Sequence, residues 1–170
     1  MKTVKIIYGA LLTAIKILLT RFFSIQLPIM RFSFAFIATM MIGMLFNPWV
    51  SGAIAAVTDI IGFAIAPKGE YFYGYTLSAF LSGFVYSFFF YKKEITFKNV
   101  ILATVINVVF INMTLNTLWV SMTTGKAFIA VAGPRVVKNL VDIPLRVIIF
   151  TYLIKLLNRS AQFKKVIQEA

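Results

Sequence analysis

The sequence predicts an all-α integral membrane protein, a single domain over 1–170 with six transmembrane helices and both termini cytoplasmic. Three observations carry this. Hydrophobic residues make up 61% of 170 positions and mean hydropathy is +0.91, more apolar surface than a chain this size can bury in a water-soluble core. The apolar residues fall into stretches of helical length separated by proline and glycine breaks. The basic residues are shared unequally between the two sets of connections.

The first helix is predicted over roughly 4–23. Its start, MKTVKIIYGALLTAIKILL, has the charge and apolar run of a signal peptide. Arg21, two phenylalanines and a polar loop stand where a small-residue cleavage site would be, so the segment reads as a retained helix. A short second helix covers roughly 32–46, begun by Arg31. Asn47-Pro48 breaks the chain, and Pro48 suits the first turn of a third helix over roughly 49–66, ended by Pro67. The fourth helix spans roughly 74–91 and the fifth roughly 98–122. The sixth covers roughly 134–157, opened by Gly133-Pro134 and kinked at Pro144.

Six spans put both termini on one side. That side carries Lys2, Lys5, Lys92, Lys93, Lys98, Arg159, Lys164 and Lys165 against Glu94 and Glu169. The other carries Arg21, Arg31, Lys68, Lys126 and Arg135 against Glu70. The bias places the termini inside. The loops SIQLPIMRFSF, APKGEYFYGYT and SMTTGKAFIAVAGPR then face out, and they hold most of the unusual side chains.

Composition removes several function classes. There is no Cys and no His, hence no thiol nucleophile, disulfide, imidazole base or common zinc or haem ligand. No P-loop or G-x-G-x-x-G occurs. The net charge of +12 reads as positive-inside asymmetry and contact with anionic membrane lipid, with no nucleic-acid partner. Asp59 and Asp142 lack the flanking motif of an aspartyl enzyme. A chain of this length with no visible inverted repeat is small for a self-contained carrier. A substrate-capturing subunit with a borrowed motor fits better, and no cofactor or metal is expected.

Four constellations remain. Arg31, Arg135 and Lys138 lie near outer helix ends. Arg135 and Lys138 are three apart and share a face, and Asp142 can pair with Lys138. They suit either a carboxylate ligand or lipid headgroups. Tyr71, Phe72, Tyr73 and Tyr75, bracketed by Gly69 and Gly74 and followed by Thr76 and Ser78, suit either a stacking lid over a flat ligand or an interfacial belt. Asn112 and Asn116 share a face of the fifth helix, either reading a heterocycle edge or binding helices together, while Asn107 reads as interhelical glue. Small residues, Gly9, Ala10 and Ala14 on the first helix and Ser51, Gly52, Ala55 and Ala56 on the third, make grooves for another helix. Asp59 and Lys16, each costly alone in lipid, read as structural ion-pair or hydrogen-bond partners.

Several stretches resemble a known family. SIQLPIMRFSFAFI (24–37), MLFNPWVSGAIAAVTDIIG (44–62) and PKGEYFYGYTLSAFLSG (67–83), with NTLWVSMTTGKAF (116–128) and PRVVKNLVDIPLR (134–146), are similar to the substrate-binding S components of energy-coupling factor (ECF) transporters, and to their folate-specific branch. The resemblance covers essentially the whole chain. It implies a multi-pass bacterial cell-membrane protein, not an enzyme. Such a protein binds one vitamin, here folate or a reduced folate, in an outward pocket. It pairs with a transmembrane coupling subunit and two cytoplasmic ATPases and topples in the bilayer to release its load. It also implies Arg31, the loop from Gly69 to Thr76 (with Tyr71, Phe72, Gly74 and Tyr75), Trp119, Arg135 and Lys138 as pocket positions. Asn112 and Asn116 join them on the helical-face argument. Ala10, Ala14, Gly52, Ala55 and Ala56 would dock the partner. The alternatives are an S component for another vitamin or anionic heterocycle, and a structural membrane protein without a ligand.

Overall fold

The computed structural model describes residues 2–26, 31–67 and 70–157; of residues 2, 3, 26 and 31 only the backbone is described. Helix α1 is Lys2–Arg21. A β-hairpin follows, β1 Ser24–Gln26 paired antiparallel with β2 Arg31–Ser33. Then come α2 Ala35–Leu45, α3 Pro48–Ile65 and α4 Tyr73–Phe90. Helix α5 Phe97–Ile106 runs through a π-helical stretch, Asn107–Leu115, into α6 Asn116–Thr124, making one rod. Helix α7 is Phe128–Leu157. The described residues thus form six helical rods.

Local chemistry explains most boundaries. Asn47 accepts a hydrogen bond from the Val50 amide at 2.9 Å while Pro48 occupies the first turn of α3. Thr96 caps α5 in the same way through Asn99. Gly125, at φ +67°, closes α6. Two expectations are corrected. Arg31 does not begin the second helix; it opens β2, and α2 starts only at Ala35. Ser33 holds the hairpin's end to α1 by donating to the Leu19 carbonyl at 2.8 Å. The last helix does not open at Pro134 but at Phe128, so Pro134 as well as Pro144 lies inside it. Prolines are tolerated in apolar helices whose neighbours help satisfy the freed carbonyls.

The bundle is built on α3 against α4, where small residues let the backbones approach. A β-carbon on Gly83 would lie 2.6 Å from the Ser51 carbonyl oxygen, and one on Gly52 would lie 2.8 Å from the Phe80 ring. The main core joins α2, α4, α5 and α7 through Phe36, Met40, Met44, Phe90, Val100, Val147 and Phe150. Within it the rings of Tyr86, Phe90 and Phe150 stack. A second cluster, Leu12, Ile42 and Leu45, fastens α1 to α2.

Beside this apolar core the bundle buries polar side chains and exposes apolar ones. Ser51, Thr58, Ser78, Ser87, Thr104, Asn107, Thr117 and Asn139 are buried, while Ile6, Ile7, Leu11, Ile60, Ile129, Val137, Leu140 and Ile148 are exposed. Apolar surroundings favour this arrangement, because polar groups must then find partners inside. Asn107 and Ser82 do so, exchanging two bonds of 3.4 Å between the fifth rod and α4, which is the glue expected of Asn107. Two rods, Pro48–Ile65 and Phe97–Thr124, are long and apolar enough to cross a membrane by length and composition alone. Charges at Lys16 and Arg21 dilute α1, charges at Arg135, Lys138, Asp142 and Arg146 dilute α7, and tyrosines, serines, a threonine and glycines dilute α4.

Candidate functional site

The aromatic knot that precedes α4 is split in two by the geometry. On one side the Phe72 ring lies 5.6 Å from Trp119 and 5.9 Å from Tyr75. Buried Gly74 sits between them: a β-carbon there would fall 2.5 Å from Phe72 and 2.6 Å from Trp119. The Trp119 indole N–H donates to Ser78 Oγ at 3.0 Å, and the Tyr75 hydroxyl meets Thr123 Oγ1 at 3.3 Å. The start of α4 is therefore zipped to α6 by rings and hydroxyls. On the other side Tyr71 packs edge-on to Phe63 of α3 at 5.1 Å and to Tyr73 at 5.2 Å, and Tyr73 is 80% exposed.

Tyr71 and Thr76 also belong to a polar chain. Thr76 Oγ1 donates to Asp59 Oδ2 at 2.9 Å. Its only proton is thereby used, so the Tyr71 hydroxyl, 2.6 Å away, donates to Thr76. Arg21, 7% exposed, closes the chain from α1: its Nη2 lies 3.6 Å from Asp59 Oδ1 and donates to the Asp59 carbonyl at 3.2 Å. Lys16, also buried, is within electrostatic range of Asp59. The structural role expected of Asp59 is what the geometry shows, though its ion-pair partner is Arg21. The sequence counts Arg21 among the outer-side charges at the end of the first helix, and nothing local marks it as buried.

The amides and cations gather on the fifth rod and α7. Asn116 Nδ2 donates to Asn112 Oδ1 at 3.0 Å. Asn112 lies in the π-helical stretch, where Thr114 and Thr117 each reach back five residues, to the Val109 and Asn112 carbonyls. Arg135 Nη2 donates to the same Asn112 carbonyl at 3.2 Å. Asn116 stands three residues before Trp119 on α6, which places this group beside the aromatic one along the rod. Lys138, one turn on, faces the hairpin, with its ammonium 5.3 Å from the Phe32 ring centre and 2.6 Å from Asp142. Asp142 also holds Arg146 at 2.8 Å. Phe23, Ile25, Phe32, Phe34, Phe36, Lys138, Val141, Asp142 and Leu145 line a cleft of about 200 Å³ between hairpin and α7.

Phe72, Gly74, Tyr75 and Trp119 thus meet in one cluster, with Asn112, Asn116 and Arg135 in a second and Lys138 in the adjoining cleft. Tyr71 and Thr76 face Asp59 instead. Gly69 and the Arg31 side chain lie outside the described residues. The small residues divide likewise. Ala10 and Ala14 are exposed on α1 and Ala56 is half-buried. Gly52 and Ala55, expected on a docking face, are buried against Phe80 and Gly83 of α4. The groove that small residues make on α3 is filled by the chain's own helix.

The family model described as "ECF transporter, substrate-specific component" matches residues 4–154. A "Folate transporter FolT" of Clostridium novyi (strain NT) is 41% identical over 167 residues, 98% of this chain and 97% of that one. A "Folate transporter FolT" of Leuconostoc mesenteroides subsp. mesenteroides is 32% identical over 151 residues, 85% of this chain and 81% of that one. Among solved structures, one described as the crystal structure of FolT bound with folic acid superposes with a TM-score of 0.83. It is 40% identical, covering 87% of this chain and 90% of that one.

Proposed function

Because the chain belongs to the substrate-specific components of ECF transporters, we propose that it captures folate in an outward pocket and delivers it to the shared transport module. It is a transport subunit, not an enzyme. The observation that carries the reading is that a ring cluster (Phe72, Tyr75, Trp119) and a group of amides with a cation (Asn112, Asn116, Arg135) are both built on the rod that carries Asn116 and Trp119.

Folate offers a flat pterin, a benzoyl ring and a glutamate with two carboxylates. Phe72, Tyr75 and Trp119 supply faces on which flat rings stack. The paired amides of Asn112 and Asn116 can exchange donor for acceptor along a heterocycle edge. Arg135 donates to the Asn112 carbonyl, so the scaffold fixes a guanidinium whose planar fork suits a carboxylate. Lys138 is steadied by Asp142 with two protons left for the tail. Arg31 and Gly69 belong to the same rim on sequence grounds.

The reading extends to six membrane spans with both termini cytoplasmic, in a bacterial cell membrane. The partners are a transmembrane coupling subunit and two ATPases that hydrolyse the ATP. Exposed Ala10 and Ala14, with Ala56, are the surface on which the coupling subunit would lie.

The test is mass spectrometry of ligand released from denatured, detergent-purified protein, with tritiated folate binding. Folate at near one per chain is the expected result. Another vitamin would keep the architecture and discard the pterin and carboxylate roles; no ligand and no binding would overturn the reading.

A further inference from the structure

Asp59 touches none of the groups assigned to the ligand, yet the turn that carries the lid hangs on it. Its two carboxylate oxygens serve different elements: Oδ2 accepts from Thr76 at the start of α4, and Oδ1 faces Arg21 at the end of α1. Tyr71 reaches the same carboxylate through the Thr76 hydroxyl. Residues 71 and 76 therefore pin both ends of one short segment, and Phe72, Gly74 and Tyr75 lie between the pins. The segment's opposite face rests on Trp119. Arg21 is itself fixed by the carbonyls of Asp59 and Ala66, so the anchor cannot swing. In a low-dielectric bundle such a chain of polarised bonds is stiff, and losing one link leaves buried donors without partners.

We propose that Asp59 is a positioning residue for ligand retention: by holding Thr76 and Tyr71 it fixes Phe72 and Tyr75 as a closed lid against Trp119. The proposal rests on the folate-capture reading above. It makes a chemical demand that a merely space-filling residue would not. One oxygen must accept from Thr76 while the other presents negative charge to Arg21 3.6 Å away, so asparagine, neutral and with an N–H2 in place of one oxygen, can meet Thr76 or Arg21 but not both.

The experiment uses the full chain in lipid nanodiscs with Trp49→Phe as background, so that Trp119 is the remaining tryptophan. Asp59→Asn is compared with this parent and with Gly83→Ala. The latter strains α3–α4 packing away from the lid and serves as a control for lost stability. Three quantities are read: tritiated folate association and dissociation rates, acrylamide quenching of Trp119 without ligand, and the melting temperature. The expected result is at least a tenfold faster folate dissociation in Asp59→Asn, association within about threefold, and clearly stronger quenching of Trp119. Gly83→Ala should melt lower without either change. Release no faster than in Gly83→Ala at equal melting loss would overturn the proposal. Should Asp59→Asn not fold, Thr76→Val cuts the link while sparing the Arg21–Asp59 pair, and the same two outcomes apply. A parent that binds no folate would sink the functional reading alone; quenching would still decide, and unchanged Trp119 quenching would overturn the role of Asp59.

Discussion

Gly74 lies flat against the indole of Trp119, so close that a β-carbon on Gly74 would stand 2.6 Å from the ring. The contact spans 45 positions of chain and sets how closely the start of α4 approaches α6. Adding one methyl group there must push Phe72 or Trp119 aside, and overpacking of this kind costs about 1–3 kcal/mol. Gly74→Ala is expected to weaken equilibrium folate binding by about tenfold or more with the helical circular dichroism unchanged. Full affinity in the variant would remove Gly74 from the site.

Trp119 combines a stacking face with an N–H bond to Ser78. Trp119→Phe keeps a ring and loses the bond, worth about 0.5–1.5 kcal/mol net, and should weaken folate by less than about tenfold. Trp119→Ala removes the ring as well and should lose about a hundredfold or more. Isothermal titration of both variants separates the contributions; equal losses would mean that the indole N–H, not the face, carries the role.

Arg135 is argued to hold a carboxylate while bonded to the Asn112 carbonyl. Charge-assisted bonds contribute about 1.5–3 kcal/mol. Arg135→Ala should therefore weaken folate by roughly ten- to a hundredfold and weaken pteroate, which lacks the glutamate, far less. Competition against tritiated folate measures both. Equal losses for the two ligands would make Arg135 a scaffold of the π-helical stretch.

Ala14 and Ala55 make opposite predictions, though both belong to small-residue patches. Ala14 is exposed on α1, whereas Ala55 is buried beneath Gly83. Ala14→Leu is expected to leave folate binding and melting temperature unchanged and to abolish co-purification with the coupling subunit. Ala55→Leu should lower the melting temperature by itself, since overpacking at a helix contact costs about 1–3 kcal/mol. Normal complex formation by Ala14→Leu would clear α1 of the docking role.

Two features were legible because each is a local pattern. Asn47-Pro48 caps a helix wherever it occurs, and the rings at 71–75 stand out between glycines and small residues. The hairpin was not legible: three-residue strands are too short for an alternating pattern, and the pairing of Ser24 with Ser33 is held in part by a bond from Ser33 to α1. Pro134 misled because proline ends helices in water, while here α7 begins six residues earlier and runs through it. The π-helical stretch carries no marker of its own, and it is what sets the Asn112 carbonyl before Arg135 and Thr117.

Composition and apolar run length by themselves determined the solvent this chain is made for and the six helical rods of the described residues. Those properties depend on residues a few positions apart and on the cost of placing them in oil or water. Tertiary structure decided which lone charge met which. Asp59 could read only as a group in need of a partner; the approach of α1 made that partner Arg21 and left Lys16 at longer range. It likewise decided that Gly52 and Ala55 of α3 receive α4 and Gly9 of α1 receives Phe46, while Ala10 and Ala14 of α1 stay open. A groove between helices is satisfied by whichever neighbour packs into it first, and that neighbour is specified by the whole bundle, not by the groove's own residues.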